Sequence, residues 1–412
     1  MSSVHFKYPT SGSQRSLQRG LTLVELMVAM AISLFMLLAI ALVYSSSKTG
    51  FVYANNTVHM SEDASFAIDS LSRDIRMAAY AGCAGTVQPR TAGVDTVLYT
   101  ADDVFDDPTV NTPTPTPSKP KLFNVTGLTG TYVDPNPFTS LNTDPKGPFA
   151  GALTSRNAVM GFPSGTGVAA NAARTALHPT ASTSYTVSTT APMLYLAGGA
   201  AKAYQVSAAV VAGQANATLA GTPYVGPKFL ANAFMLIADC QGAEVFRLNS
   251  DMNGTTGAMT NEKTFLNPYS SDAIITPLET STYFLAKRNG ATNSSLYKRS
   301  FNGRAATFDE LVPNVEAITF QYGENTTPNA TTAKPSFVAD IYRSDASAVT
   351  DWSRVVSIRM GLILVSEDAN QGPSNDTSIE WVGGTYTPAS TTDRRLRRAY
   401  STTVSIRNRM GL

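Results

Sequence analysis

The side chains able to do chemistry are few and scattered in this sequence. The three histidines are His5, His59 and His178, and none has a second ligand at a spacing that would hold zinc or build a histidine-centred triad. Residues 165–170, GTGVAA, match a dinucleotide turn only loosely and lack the strand before it and the rest of a βαβ unit. Ser45 and Lys48 have Ser-x-x-Lys spacing, but they follow directly on a long apolar run, where a polar collar at a membrane interface is the simpler reading. Asp340 and Asp345 lack the glycine and closing glutamate of a calcium loop. No nucleophile, base and orienting group converge, so an enzyme, a metal site or a resident cofactor is not expected. Cys83 and Cys240 are the only cysteines and fit no metal spacing. Outside the cytoplasm a single disulfide between them is the natural pairing, and two buried thiols are the alternative.

One ionisable residue stands out by its surroundings. After Arg19, Glu25 is the only charge in residues 18–44, QRGLTLVELMVAMAISLFMLLAIALVY. A lone carboxylate in a bilayer costs roughly 3 kcal/mol or more, so it calls for a partner. The apolar run from Leu21 to Tyr44 is long enough to cross a membrane as a helix. Lys7, Arg15 and Arg19 precede it without an acid, which puts the N-terminus in the cytoplasm and everything after Lys48 on the far side. A cleaved secretory signal would have a shorter apolar region and a small-x-small site. A plain signal anchor would explain the length but leave Glu25 without a purpose.

The polar basic leader ending in Gly20, followed by Leu-Thr-Leu-Val-Glu and a long apolar helix, resembles the class III signal of type IV prepilins and type II secretion pseudopilins. The resemblance implies that a membrane prepilin peptidase cuts between Gly20 and Leu21 and methylates the new amine of Leu21. It gives Glu25 its partner, because the ammonium of one subunit can pair with the carboxylate of the next inside an apolar bundle. Removing one member of such a desolvated pair costs on the order of 3–5 kcal/mol. The chain departs from the family at Leu21, where phenylalanine is most common.

The helical pattern continues past Lys48 through Phe51, Ala54, Val58, Ser61, Ala64, Ile68, Leu71, Ile75 and Ala78. Gly82 and Gly85 mark its end. A helix from Leu21 to about Tyr80 would be on the order of 90 Å long at 1.5 Å per residue. Residues 66–85, FAIDSLSRDIRMAAYAGCAG, resemble the end of the long helix in PilW-type minor pilins. A generic amphipathic helix would instead leave Arg73, Asp74 and Arg76 in solvent. From Phe229 onward, strand patterns cluster in ANAFMLIADC, GAEVFRLNS, STYFLAKRNG, SSLYKRSFNG, VEAITFQYG, RVVSIRMGLILVS and AYSTTVSIRNR. Hairpins are expected at 239–242 and 289–295. The last part of the chain, from Val312, also resembles PilW-type proteins.

The expected architecture is therefore α+β: a long pilin-type helix, membrane-spanning in its first half, packed on a C-terminal antiparallel β-sheet head with a large insertion. The divisions are a leader at 1–20, a membrane or filament-core helix at 21–48, an amphipathic extension at 49–82, a Thr/Pro/Gly/Ala-rich insertion at 83–228 and the β-rich head at 229–412. Within the insertion, APMLYLAGG reads as a strand and PTVNTPTPTPSKPK as low-complexity sequence. A net charge of +1, from 31 basic and 30 acidic residues, draws in neither nucleic acid nor anionic lipid. The densest charge, Arg394, Arg395, Arg397 and Arg398, is read as a solvated face or as a patch for an acidic neighbouring subunit.

The resemblance implies a non-catalytic minor pilin that primes type IV pilus assembly and stays in a tip complex. Its implied partners are the prepilin peptidase and methyltransferase, other minor pilins, the major pilin, a large tip adhesin and the inner membrane. Its implied location is the inner membrane, N-terminus in the cytoplasm and head in the periplasm, and then the pilus at the cell surface. A type II secretion minor pseudopilin is the nearest rival. An adhesive module using the middle insertion is another.

Overall fold

The structure, a computed structural model, describes residues 22–82, the short strands at 90–91 and 104–105, residues 158–162 and most of 184–409, where the longest gaps are 327–337 and 370–377. Gly20, Leu21 and Cys83 lie outside the described residues.

Helix α1 spans Leu23–Met77. Along its first part, to Asn55, nearly every side chain is exposed, and this is the one described helix long and apolar enough to cross a membrane. From Asn56 the helix is part of the second compact unit, where Met60, Ala64, Ala67, Leu71 and Ile75 are buried at spacings of three and four. The buried stripe differs from the expected one at its N-terminal end. Val58 and Ser61 are exposed, and Met60 and Ala67 are buried in their place. Ala67 joins the expected Ala64 and Ala78 on the packed face, and their small side chains allow a sheet to come close.

The strands, in chain order, are β1 (Arg90–Thr91), β2 (Val104–Phe105), β3 (Val159–Phe162), β4 (Tyr185–Val187), β5 (Met193–Gly199), β6 (Tyr204–Gln205), β7 (Asn216–Thr218), β8 (Phe234–Asp239), β9 (Gly242–Arg247), β10 (Ala258–Thr260), β11 (Ile274–Arg288), β12 (Ser295–Phe301), β13 (Ala306–Val312), β14 (Val315–Glu324), β15 (Ile341–Arg343), β16 (Val355–Val365), β17 (Ile379–Trp381), β18 (Gly384–Tyr386) and β19 (Arg397–Ser405). Among the described residues every strand pair is antiparallel. The larger sheet has β11 at its centre, with β12 and β13 on one side and β5 and β3 on the other, and β8, β9, β4 and β6 added along its length. A second sheet runs β15-β14-β16-β19. The fold class is as expected: a long apolar N-terminal helix and an antiparallel β region. The expected hairpins at 239–242 and 289–295 join β8 to β9 and β11 to β12.

The stripe of α1 shares one core with residues of both sheets, among them Leu196 on β5, Tyr283 on β11, Leu296 on β12, Phe320 on β14, and Met360 and Leu362 on β16. APMLYLAGG does form a strand, and β5 lies against the central β11. Residues of the expected insertion thus contribute to the larger sheet itself.

Candidate functional site

The N-terminal turn of α1 is built by Thr22 and Glu25. Thr22 sits just before the helix, its hydroxyl accepts from the Glu25 backbone N–H at 3.2 Å, and its own N–H and hydroxyl both donate to Glu25 Oε2 at 3.2 Å. This is a reciprocal capping box, and the Thr-x-x-Glu spacing that announces it is readable in the sequence, though the acid alone drew attention there. The box holds the carboxylate at the positive end of its own helix. Among the described residues no donor meets Oε1.

The head is fastened to the other end of α1 by polar contacts. Asp74, expected to be solvated if the helix were generic, is mostly buried, with Lys298 Nζ of β12 at 2.6 Å. The Tyr283 hydroxyl of β11 donates to the same carboxylate oxygen at 2.8 Å. Burial, reinforced by the Asp74 charge, holds the Tyr283 hydroxyl protonated far above its usual range. Arg73 and Arg76 are exposed, as the solvated reading expects.

The last turn of α1 is closed by groups distant in sequence. Ala79 takes a left-handed conformation with φ of 61°, and its N–H donates to the Ala197 carbonyl of β5 at 2.8 Å. The Gly199 N–H then donates to the Tyr80 carbonyl at 2.8 Å. The approach needs glycine at 198, because a Cβ there would stand 3.0 Å from the Met77 carbonyl oxygen and 3.2 Å from the Tyr80 nitrogen. Asn408, beyond the last strand, donates its amide to the carbonyls of Arg76, Met77 and Ala78 at 3.3, 3.3 and 3.0 Å. Carbonyls at a helix C-terminus lack intrahelical donors, and of these three Met77 also accepts from the Tyr80 N–H at 3.1 Å. No short-range signal marks Asn408 for this task.

The arginine cluster divides in two. Arg397 is nearly fully buried between Glu316, 2.6 Å from its Nε, and Asp393, 2.8 Å from its Nη2. These hydrogen bonds from Arg397 hold the Asp393 carboxyl below the usual range. Arg395 donates to the Asn293 side chain and to the carbonyls of Ser366 and Glu367, which ties the end of β16 to the turn before β12. Arg394 and Arg398 are exposed. Arg395 and Arg397 are thus structural, while Arg394 and Arg398 lie at the surface.

Of the two cysteines, Cys83 is outside the described residues. Its neighbour Gly82 packs where an added Cβ would meet Ile274 and Ala238, two residues before Cys240. Asp340 and Asp345 serve as local caps: Asp340 accepts from Thr326 and Asp345 from Ser347.

Two family models match the chain. That for the Type IV Pilus-assembly protein W covers residues 282–408, from the second half of β11 through the four-stranded sheet to Asn408. That for the prokaryotic N-terminal methylation motif covers residues 15–41. The chain carries both signatures. The resemblance to PilW-type pilins with a prepilin signal therefore holds, and the matches support a type IV pilin-like minor pilin. A search of solved structures finds a type IV-like pilin from Thermus thermophilus, 15% identical, with 44% of this chain and 86% of that chain covered and a TM-score of 0.19. No curated protein matches.

Proposed function

We propose that this chain is a minor pilin that primes assembly of a type IV pilus and stays at its tip, working without catalysis. The observation that carries the reading is the co-occurrence, in one chain, of a methylation motif over 15–41 and a PilW match over the strands that grip the end of α1. On this reading the peptidase cuts between Gly20 and Leu21, and the amine of Leu21 is methylated. Before assembly, Glu25 is held by Thr22 of its own chain. In the bundle, Oε1 is open to the ammonium of a neighbouring subunit, and a carboxylate shared by both is desolvated at lower cost than a lone one.

The head then lies in the periplasm, reached through an α1 that is N-in in the inner membrane, and later at the cell surface. Other minor pilins, the major pilin and a large tip adhesin are its proposed partners. Exposed Arg394 and Arg398 are the proposed contact for an acidic neighbour. A Cys83–Cys240 disulfide is proposed to tie the residues after the helix to the β8–β9 turn. Gly82 packing beside Ala238 supports it.

Complementation of a deletion strain tests the proposal. Wild type is expected to restore surface pili. Glu25→Ala is expected to reach the membrane and be processed at Gly20, yet to restore few pili. Normal piliation with Glu25→Ala would remove the pairing role, and normal piliation in the deletion strain itself would remove the priming role.

A further inference from the structure

The most unusual surface of the head is the edge of β14. On one side this strand pairs with β16 over its whole length, from Val315 to Glu324. On the other side β15 covers only Tyr322–Glu324. Among the described residues no strand pairs with the rest of that edge, and the one backbone contact there is the Val315 N–H to the Ser294 carbonyl at 2.9 Å. An uncovered edge is a template for another strand, and folded proteins ordinarily blunt one with charge, proline or a covering loop. Here the open stretch, Glu316–Gln321, is EAITFQ, with a single charge and no proline.

The edge is recessed as well as open. It forms one wall of a cleft of about 460 Å³, within the size range of binding sites. The turn leading into β5, with Thr190 and Ala191, lines the same cleft, as do Ile318 and Phe320 of the edge strand itself. Because that turn lines the same cleft as the edge, a single extended chain is the occupant the cleft suits, rather than a second sheet. Glu316 and Asp345 are the ionisable carboxylates of the lining, which contains no lysine, arginine or histidine. Glu316 is engaged by Arg397. Asp345 differs, because Oδ1 accepts both bonds from Ser347 and Oδ2 has no partner among the described residues. Asp345 sits just beyond β15, at the end of the groove where the open edge stops.

We propose that the open edge of β14 is a strand-addition groove that takes a single extended peptide segment of a partner protein, with a lysine or arginine of that segment at Asp345. Main-chain hydrogen bonds to β14 supply the affinity, and the carboxylate fixes which end of the peptide lies there. This goes beyond the pilus reading and does not need it, because a groove of this kind would bind peptide whether or not the chain is processed at Gly20.

The test uses the full-length chain in detergent micelles and fluorescence anisotropy of labelled eight-residue peptides. The parent probe is Lys-Ser-Val-Thr-Val-Ser-Thr-Val. Variants replace the lysine by glutamate, or carry N-methyl groups on one or the other alternate set of amides. Saturable binding of the parent is expected, with the glutamate peptide weaker by about ten-fold or more. One of the two N-methylated peptides is expected to lose binding altogether, since strand addition uses alternate amides. Asp345→Asn, which can still accept from Ser347, should bring the lysine and glutamate peptides to similar affinity. Ala191→Trp, which fills the cleft from the turn before β5, should abolish binding while the unfolding transition persists; Thr190→Trp serves if that variant does not fold. No saturable binding of the parent up to its solubility limit would overturn the proposal. So would equal binding of both N-methylated peptides and the parent, or a charge preference that Asp345→Asn leaves intact.

Discussion

At the scale of single residues, two charged groups, Asp74 and Arg397, are each held by two partners. Asp74 is matched by Lys298 and by the Tyr283 hydroxyl, and Arg397 by Glu316 and Asp393. Replacing Asp74 by asparagine takes from the mostly buried Lys298 ammonium its contacting carboxylate and leaves it only the Glu279 charge nearby, and a loss of about 1–2 kcal/mol in denaturant unfolding is expected. Adding Lys298→Met should recover part of that loss, because the unpaired charge goes with it. Asp393 gives a pH dependence of definite sign. Its carboxyl titrates lower in the folded state than in the unfolded chain, so its stabilisation is present above the usual carboxylate value near ~3.9 and is lost as pH falls through the folded value. Asp393→Asn should therefore be less stable than wild type at neutral pH and lose less on acidification from about pH 5 to 3. Thermal melts across that range check it. Glu25 was legible from sequence as an acid out of place. The capping threonine three residues earlier was equally legible, and it shows that the acid has a partner in its own helix turn.

At the scale of elements, the sheet was read well where strands alternate or run apolar, and less well elsewhere. β8, β9, β12, β14, β16 and β19 lie on the strand patterns, whereas β11 begins at Ile274, before the pattern that starts at Ser281. β13, ATFDELV, was missed, because two acids and a phenylalanine in seven residues give no clear period of two. The helix stripe slipped at its start because Val58 is apolar but Met60 is the residue that reaches the core. Contacts with distant partners lay beyond sequence reasoning altogether. Asn408 caps α1 from more than three hundred positions away. Asn408→Ala should lower stability by about 1 kcal/mol, since three carbonyls lose a donor but remain near water. Gly198→Ala should cost more, about 1–3 kcal/mol, because the new methyl meets backbone atoms at the end of the helix that cannot rotate away. Both are read from the midpoint of denaturant unfolding of the purified full-length chain.

At the scale of the whole molecule, composition and patterning led to an α+β chain with one apolar helix at its start, and the structure has that form. The division of labour was harder to see. Residues 83–228 read as a Thr-, Pro- and Gly-rich insertion of the head with one strand in it, and β3, β4, β5 and β6 come from them and pair into the larger sheet. Pairing partners of that kind depend on contacts some eighty residues away, as between β5 and β11, and no local pattern encodes them. The family match from 282 to 408 begins within β11, the strand on which both parts of the sheet meet.

The central claim is that this chain is processed and assembled as a pilin. The mature N-terminus, determined by mass spectrometry of the full chain from cells with and without prepilin peptidase, tests it most directly. A methylated start at Leu21 that depends on the peptidase is the predicted result. A start unchanged by the peptidase, or a cut beyond Tyr44 at the end of the apolar run, would contradict it.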